Sequence, residues 1–150
     1  MEIFELLLSK KLEAIEVNKD TLFKAIIQTR LFGKLSNKIK FIHKKKDIKS
    51  EIRIKIVVNS KDPVDYAPTI VIMKGARGVK SVLKIEVLNL AKNPHVLISP
   101  NMEILDNDIE ASHSLTIRQL DQNEIKYLMS RGLTLKQTEK LLIQAFINDL

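Results

Sequence analysis

The chain has 150 residues, 45% of them apolar and 29% charged, and a formal net charge of +7. That length accommodates one domain with its own core, and the composition is that of an ordinary globular protein. There is no cysteine, which excludes disulfides, a thiolate nucleophile and any cysteine-ligated zinc or iron–sulfur site on this chain.

No apolar run approaches the ~20 residues of a membrane span. The opening residues carry Glu2 and Glu5 and no basic leader, so no signal peptide is expected and the chain is placed in the cytoplasm. The positive charge is local: between Lys34 and Lys61, ten cations stand against only Asp47 and Glu51. Such a segment is either a solvated strand face with a lysine-rich loop or a surface for an anionic partner.

In the first 30 residues, Thr21–Ile27 is compatible with helix or strand. Beyond it the pattern is strand-like. Ile52, Ile54 and Ile56 alternate with charged residues, as Leu83, Ile85 and Val87 do, so each set shares one face. Thr69–Met73 is a continuous apolar run, suited to a strand covered on both sides. Shorter strands are expected at His95–Ile98, Met102–Leu105, Ile109–Ala111 and Leu115–Ile117. Asp62-Pro63, Lys74-Gly75, Asn93-Pro94, Ser99-Pro100 and Asn107-Asp108 punctuate them. Short strands between brief turns suggest a sandwich, a barrel or a β-solenoid, and no fixed-length repeat separates these.

After Leu120 the period becomes helical. Asp121 and Glu124 have the spacing of a capping box, Ile125, Leu128 and Met129 recur on one face, and Gly132 falls at a C′ position behind Arg131. Thr134 and Gln137 form a second box, opening a helix that runs to about Asn148. Its stripe is Thr138, Leu141, Leu142, Ala145 and Phe146. Ile143 and Ile147 lie off that stripe; they either complete a broad core contact or meet another chain.

One stretch carries a specific resemblance. Ser99-Pro100-Asn101-Met102-Glu103-Ile104-Leu105-Asp106-Asn107-Asp108-Ile109-Glu110-Ala111-Ser112-His113 is followed, past Leu115-Thr116-Ile117, by Tyr127-Leu128-Met129-Ser130-Arg131-Gly132-Leu133. This order, from Ser99 to about Ile147, resembles the C-terminal core of the SufB/SufD family of iron–sulfur cluster assembly. The resemblance implies a mainly β fold: a right-handed parallel β-helix (β-solenoid) core over residues 1–120 and a two-helix tail over 121–150, in one compact unit. It also implies a non-catalytic scaffold that pairs with another SufB/SufD-like subunit, identical or different, through its β-core, and docks a SufC-like ABC ATPase through its C-terminal helices. The docking residues would be Tyr127, Arg131, Gly132, Leu133, Thr134, Ile143 and Ile147. Family members are typically longer, with a helical domain ahead of the core, for which 150 residues leave no room. The cluster-building SufB type relies on a core cysteine, so its absence favours a SufD-like supporting role; Ser114, after the histidine, matches neither type.

His113 is the candidate for metal or cluster chemistry, because a neutral imidazole can ligate iron. The resemblance implies that no cofactor is firmly held and that an iron–sulfur cluster is met transiently at a subunit interface. Taken alone, a histidine between two serines is more often structural. His43 and His95 are isolated and read as ordinary surface or loop residues. Glu103, Asp106, Asp108 and Glu110 form an acidic patch without the ligand spacing of an EF-hand, so a solvated turn is expected. The rival reading is a basic nucleic-acid-binding module using Lys34–Lys61 and the Gly75–Gly78 loop. Against it, strands rather than helices flank that loop, and aromatics are only 5% of the chain.

Overall fold

The computed structural model describes residues 2–7, 13–29, 35–59, 63–90 and 95–149. Each strand among them pairs parallel with the equivalent strand of a neighbouring turn. The strands are β1 (Glu2–Leu7), β2 (Ala14–Val17), β3 (Thr21–Gln28), β4 (Leu35–Asn37), β5 (Lys40–His43) and β6 (Lys49–Val58). They continue as β7 (Val64–Tyr66), β8 (Thr69–Ile72), β9 (Val79–Asn89), β10 (Val96–Ile98), β11 (Asn101–Ile104) and β12 (Ile109–Gln119).

Three sheets result, with strand orders β1-β3-β6-β9-β12, β11-β8-β5-β2 and β10-β7-β4. From β2 onward the chain visits them in rotation, so β2-β3-β4, β5-β6-β7 and β8-β9-β10 are three turns of a parallel β-solenoid, and β11-β12 begin a fourth. The expected β-solenoid is therefore the fold. Thr21 pairs with Ser50, Ser50 with Ser81 and Ser81 with Ala111, which are steps of 29, 31 and 30 residues. A step that varies in this way leaves no fixed repeat in the sequence.

The core is built of stacked inward rows. Phe23, Ile52 and Leu83 form one, Ala25, Ile54 and Ile85 the next, and Ile27, Ile56 and Val87 a third, all buried. Thr21–Ile27 is accordingly strand, because only strand geometry aligns Phe23, Ala25 and Ile27 over these isoleucines. Phe41 meets Phe23 edge-on, with ring centroids 5.0 Å apart. Each such aliphatic or aromatic side chain contributes about 1.5–3 kcal/mol by burial.

His43 is not the surface residue expected from sequence. It ends β5 facing inward, fully buried, because it occupies the inward row continued by Ile72. Its Nδ1 lies 3.2 Å from the Val71 carbonyl, which can only accept, so Nδ1 donates. Nε2 meets Ser50 Oγ at 2.8 Å, and Ser50 Oγ meets Ser81 Oγ at 2.8 Å. Burial lowers the pKa of the ring, against smaller opposing effects of the Val71 and Phe41 backbone.

The turns stack as the strands do. Asp47 N donates to Arg77 O (2.8 Å) and Gly78 N to Asp108 O (2.7 Å). Gly78 has φ +71°, and a Cβ there would lie 2.1 Å from Asp47 Oδ1.

Two helices follow, α1 (Gln122–Ser130) and α2 (Leu135–Asn148). At α1 the Asp121 carboxylate accepts from Asn123 N rather than from the backbone of Glu124. Its far end is a Schellman motif: Gly132 N donates to Met129 O, Leu133 N donates to Leu128 O, and Gly132 has φ +95°. At α2 the capping box forms as expected, with Gln137 N donating to Thr134 Oγ1 and Thr134 N to Gln137 Oε1.

The α2 helix packs on the outer face of the five-stranded sheet. Phe146 joins Val57 and Leu88 in a second buried cluster, with Leu90, Leu120, Ile143 and Ile147 against it. The buried arc is thus centred on Phe146, rotated from the stripe read in the sequence, and Leu141 is left exposed.

Candidate pairing edge and docking turn

The solenoid ends on β12, whose eleven residues hydrogen-bond to β9 along one edge. Among the described residues nothing pairs with the other edge. The sequence suggested two short strands here, at Ile109–Ala111 and Leu115–Ile117. The structure joins them, because Ser112, His113 and Ser114 keep register with Val82, Leu83 and Lys84.

Register decides which side chains face the solenoid axis. His113, Leu115 and Ile117 continue the buried rows of Leu83, Ile85 and Val87, yet Leu115 is 37% and Ile117 53% exposed. On the neighbouring faces Met102 and Ile104 continue Ile70 and Ile72, and are exposed too. These are inward rows that a further turn would cover. The end of the solenoid is therefore an apolar cross-section bordered by a free strand edge, with His113 exposed in it.

His113 has no further His, Cys, Asp or Glu gathered about it as a metal cluster, and no such cluster occurs among the described residues. The acidic patch beside it is organised by cations and backbone. Glu103 pairs with Lys40 (2.9 Å) and Glu110 with Lys80 (2.6 Å). Asp106 accepts from Gly75 N at 2.8 Å and faces Arg77 at 3.9 Å. The Gly75 N–H, foremost, holds the Asp106 carboxyl below its usual range.

The expected docking residues divide into two groups. Tyr127, Arg131, Gly132 and Thr134 are exposed around the α1–α2 turn, with Leu133 half-buried. Arg131 Nη2 donates to the Tyr127 hydroxyl (3.2 Å), and its guanidinium sits 5.3 Å from the ring centre, so the two act as one preformed element. Ile143 and Ile147 instead lie half-buried against the sheet in the Phe146 cluster. Their arc is the one that α2 turns to the core. Met129 and Leu141, which the sequence placed on the apolar helical faces, are exposed, as is Leu135; only the position of the sheet decides which arc stays outside.

Within the basic segment, Lys34 and Lys61 lie outside the described residues. Lys40, Lys44 and Arg53 pair with Glu103, Glu16 and Glu51. Lys55, read as part of a solvated face, is 4% exposed under α2. The Gly75–Gly78 loop is a turn between β8 and β9.

No helix among the described residues is long and apolar enough to cross a membrane. The family model described as "SUF system FeS cluster assembly, SufBD core domain" matches residues 18–146. An iron-sulfur cluster assembly SufBD family protein of Mycobacterium tuberculosis is 26% identical over 111 residues, 74% of this chain and 13% of the relative. A SufBD family protein of Staphylococcus haemolyticus is 24% identical over 108 residues, 72% of this chain and 23% of its own. Iron-sulfur cluster assembly protein SufD of Escherichia coli is 33% identical over 63 residues, 42% of this chain and 15% of that protein. The chain thus spans less than a quarter of the curated relatives it matches.

Proposed function

The chain belongs to the SufB/SufD family of the SUF iron–sulfur cluster assembly system, and from that premise we propose that it is a non-catalytic, SufD-like scaffold. It pairs with a SufB/SufD-like subunit through the open end of its solenoid. It docks a SufC-type ATPase on the α1–α2 turn, through Tyr127, Arg131, Gly132, Leu133 and Thr134. Ile143 and Ile147 act behind that surface, seating α2 on the sheet. The nascent cluster is cargo, and His113 supplies a neutral imidazole to iron where two subunits meet.

The observation that carries this reading is the open end itself. A long strand with a free edge beside exposed core rows is a template for another strand, and a monomer leaves it uncovered only at a risk of aggregation. The absence of cysteine supports the supporting role, since the chain has no thiolate to hold a cluster alone.

The test is co-purification with a SufC-type ATPase and a SufB-type subunit. Wild type is expected to retain both, Arg131→Glu to lose the ATPase while keeping the subunit, and His113→Ala to keep both while lowering cluster maturation. Retention of neither partner by wild type overturns the scaffold reading. Unchanged maturation by the His113 variant removes that residue from the chemistry.

A further inference from the structure

We propose that the corner formed by the β5–β6 and β8–β9 turns docks a short acidic segment of another protein. Lys44, Lys45, Lys46 and Lys49 on one turn, and Lys74, Arg77 and Lys80 on the next, are all exposed there. The corner lies at the start of β6 and β9, whereas α2 covers Val57 and Leu88 near the ends of those strands. It is therefore a surface distinct from the tail.

The two basic turns are stacked. Asp47 N donates to Arg77 O, and Lys49 and Lys80 are in-register neighbours on adjacent strands. Like charges in register, about 4.8 Å apart, repel one another. Part of the charge is relieved by acids of neighbouring turns: Lys44 pairs with Glu16, Arg77 faces Asp106 and Lys80 holds Glu110. Lys45, Lys46, Lys49 and Lys74 meet no acid among the described residues. The free chain thus holds these cations together against their repulsion, and a bound anion would remove that cost.

The surroundings select the kind of anion. The protein's own acids show what this corner accommodates: Asp106 accepts from Gly75 N at 2.8 Å beside Arg77, and Glu110 meets Lys80 at 2.6 Å. Both are carboxylates, seated on a cation and, for Asp106, on a turn N–H. Neither turn carries an aromatic side chain on which a base could stack. The basic track also ends abruptly. Asp106, Asp108 and Glu110 make the next turn acidic, and Asp20 offsets Lys19 on the turn before. A long phosphate backbone crossing the turns would run onto those carboxylates. A short acidic peptide lying along the two basic turns would not, and it could offer about one carboxylate to each unpaired lysine.

The experiment is fluorescence anisotropy of a labelled peptide of alternating glutamate and glycine, titrated with the full chain, beside a labelled oligothymidine of equal charge. Wild type is expected to bind the peptide more tightly than the oligothymidine, with an affinity that falls as salt rises. Lys45→Glu with Lys74→Glu should weaken peptide binding about tenfold or more. Lys126→Glu with Lys136→Glu makes the same change of net charge at exposed positions of the tail, and should leave binding within about twofold. Lys49→Glu is a further variant: it sets opposite charges in register with Lys80, so it should melt no lower than wild type yet bind the peptide more weakly. A lower Tm in that variant would show that Lys49 and Lys80 do not repel, and the need for an anion would go. Equal weakening by the tail variant would mean that net charge alone attracts the peptide, which overturns the corner as a site. Tighter binding of oligothymidine would assign the corner to nucleic acid instead, and binding of neither probe at about 100 μM would remove the docking site.

Discussion

Lys55 Nζ donates a 2.6 Å hydrogen bond to the backbone carbonyl of Phe146, linking the centre of the five-stranded sheet to the last turn of α2. The carbonyl is one of the groups a helix leaves unpaired at its C-terminus, and the ammonium also answers the negative end of the helix dipole. The ammonium nitrogen sits 4.9 Å from the Phe146 ring centre, and Glu86 (3.5 Å) and Asp149 (3.9 Å) balance its charge. One buried lysine thus ties the tail to the core by polar contacts, beside the apolar cluster of Val57, Leu88 and Phe146.

Replacing Lys55 with Met keeps most of the stem and removes the donor. The Phe146 carbonyl then lies buried beside no partner in its place. The expected cost is about 1–3 kcal/mol, read as a lower Tm and as earlier proteolysis of the tail than of the solenoid. An unchanged Tm would show that apolar packing alone holds α2.

His43 predicts a pH dependence. Its folded pKa lies below the ordinary histidine value of 6.5 because burial disfavours the imidazolium. In acid the unfolded chain therefore binds a proton that the folded chain refuses. Stability is fully present above about pH 6.5 and falls as pH drops toward the folded pKa, with a slope of at most about 1.4 kcal/mol per pH unit from this group. Urea midpoints between pH 7.5 and 5 measure it. His43→Gln should flatten the curve in that window, and an equally steep curve in the variant would assign the effect elsewhere.

Gly78 is required by its neighbour on the previous turn. Gly78→Ala combines a φ of +71° with a Cβ placed 2.1 Å from Asp47 Oδ1. The expected loss is about 1–3 kcal/mol, seen in thermal melting. Asp47→Gly in the same chain removes the collision and relaxes a residue that itself has φ +58°, so the double variant should recover part of the loss.

Alternation made the strands legible, and the cap residues made the helix ends legible. Gly132, Thr134 and Gln137 take the backbone roles that their positions suggested. What alternation leaves open is the covering of each face. Lys55 and His43 sit in strands that were readable, but the sheet face carrying Lys55 is buried by a helix 91 residues away in sequence. His43 is buried because its strand ends on an inward row. The Ser112-His113-Ser114 stretch has no apolar signal, so its strand character comes from pairing with β9 rather than from propensity. The family resemblance rested on the stretch from Ser99 onward, and it brought forward His113 and the α1–α2 turn, whereas the free edge and apolar rows around His113 required the register.

Ile143 and Ile147 provide the sharpest test of how the tail works. In sequence they were an apolar surplus that either completed the core or met the ATPase; in the fold they pack with Phe146 against Val57 and Leu88. Replacing both with Asp places two carboxylates in that apolar contact. The expected result is a drop of several kcal/mol, large enough to detach α2, with Tm lowered by roughly 10 °C or more. ATPase binding would then be lost through lost structure. Arg131→Glu supplies the contrast: Arg131 is exposed and, among the described residues, bonded to Tyr127 and its helix end alone, so its reversal should leave Tm within about 2 °C while ATPase co-purification falls. Should the double Asp variant melt like wild type and lose only the ATPase, the two isoleucines are interface residues and the intramolecular assignment is wrong.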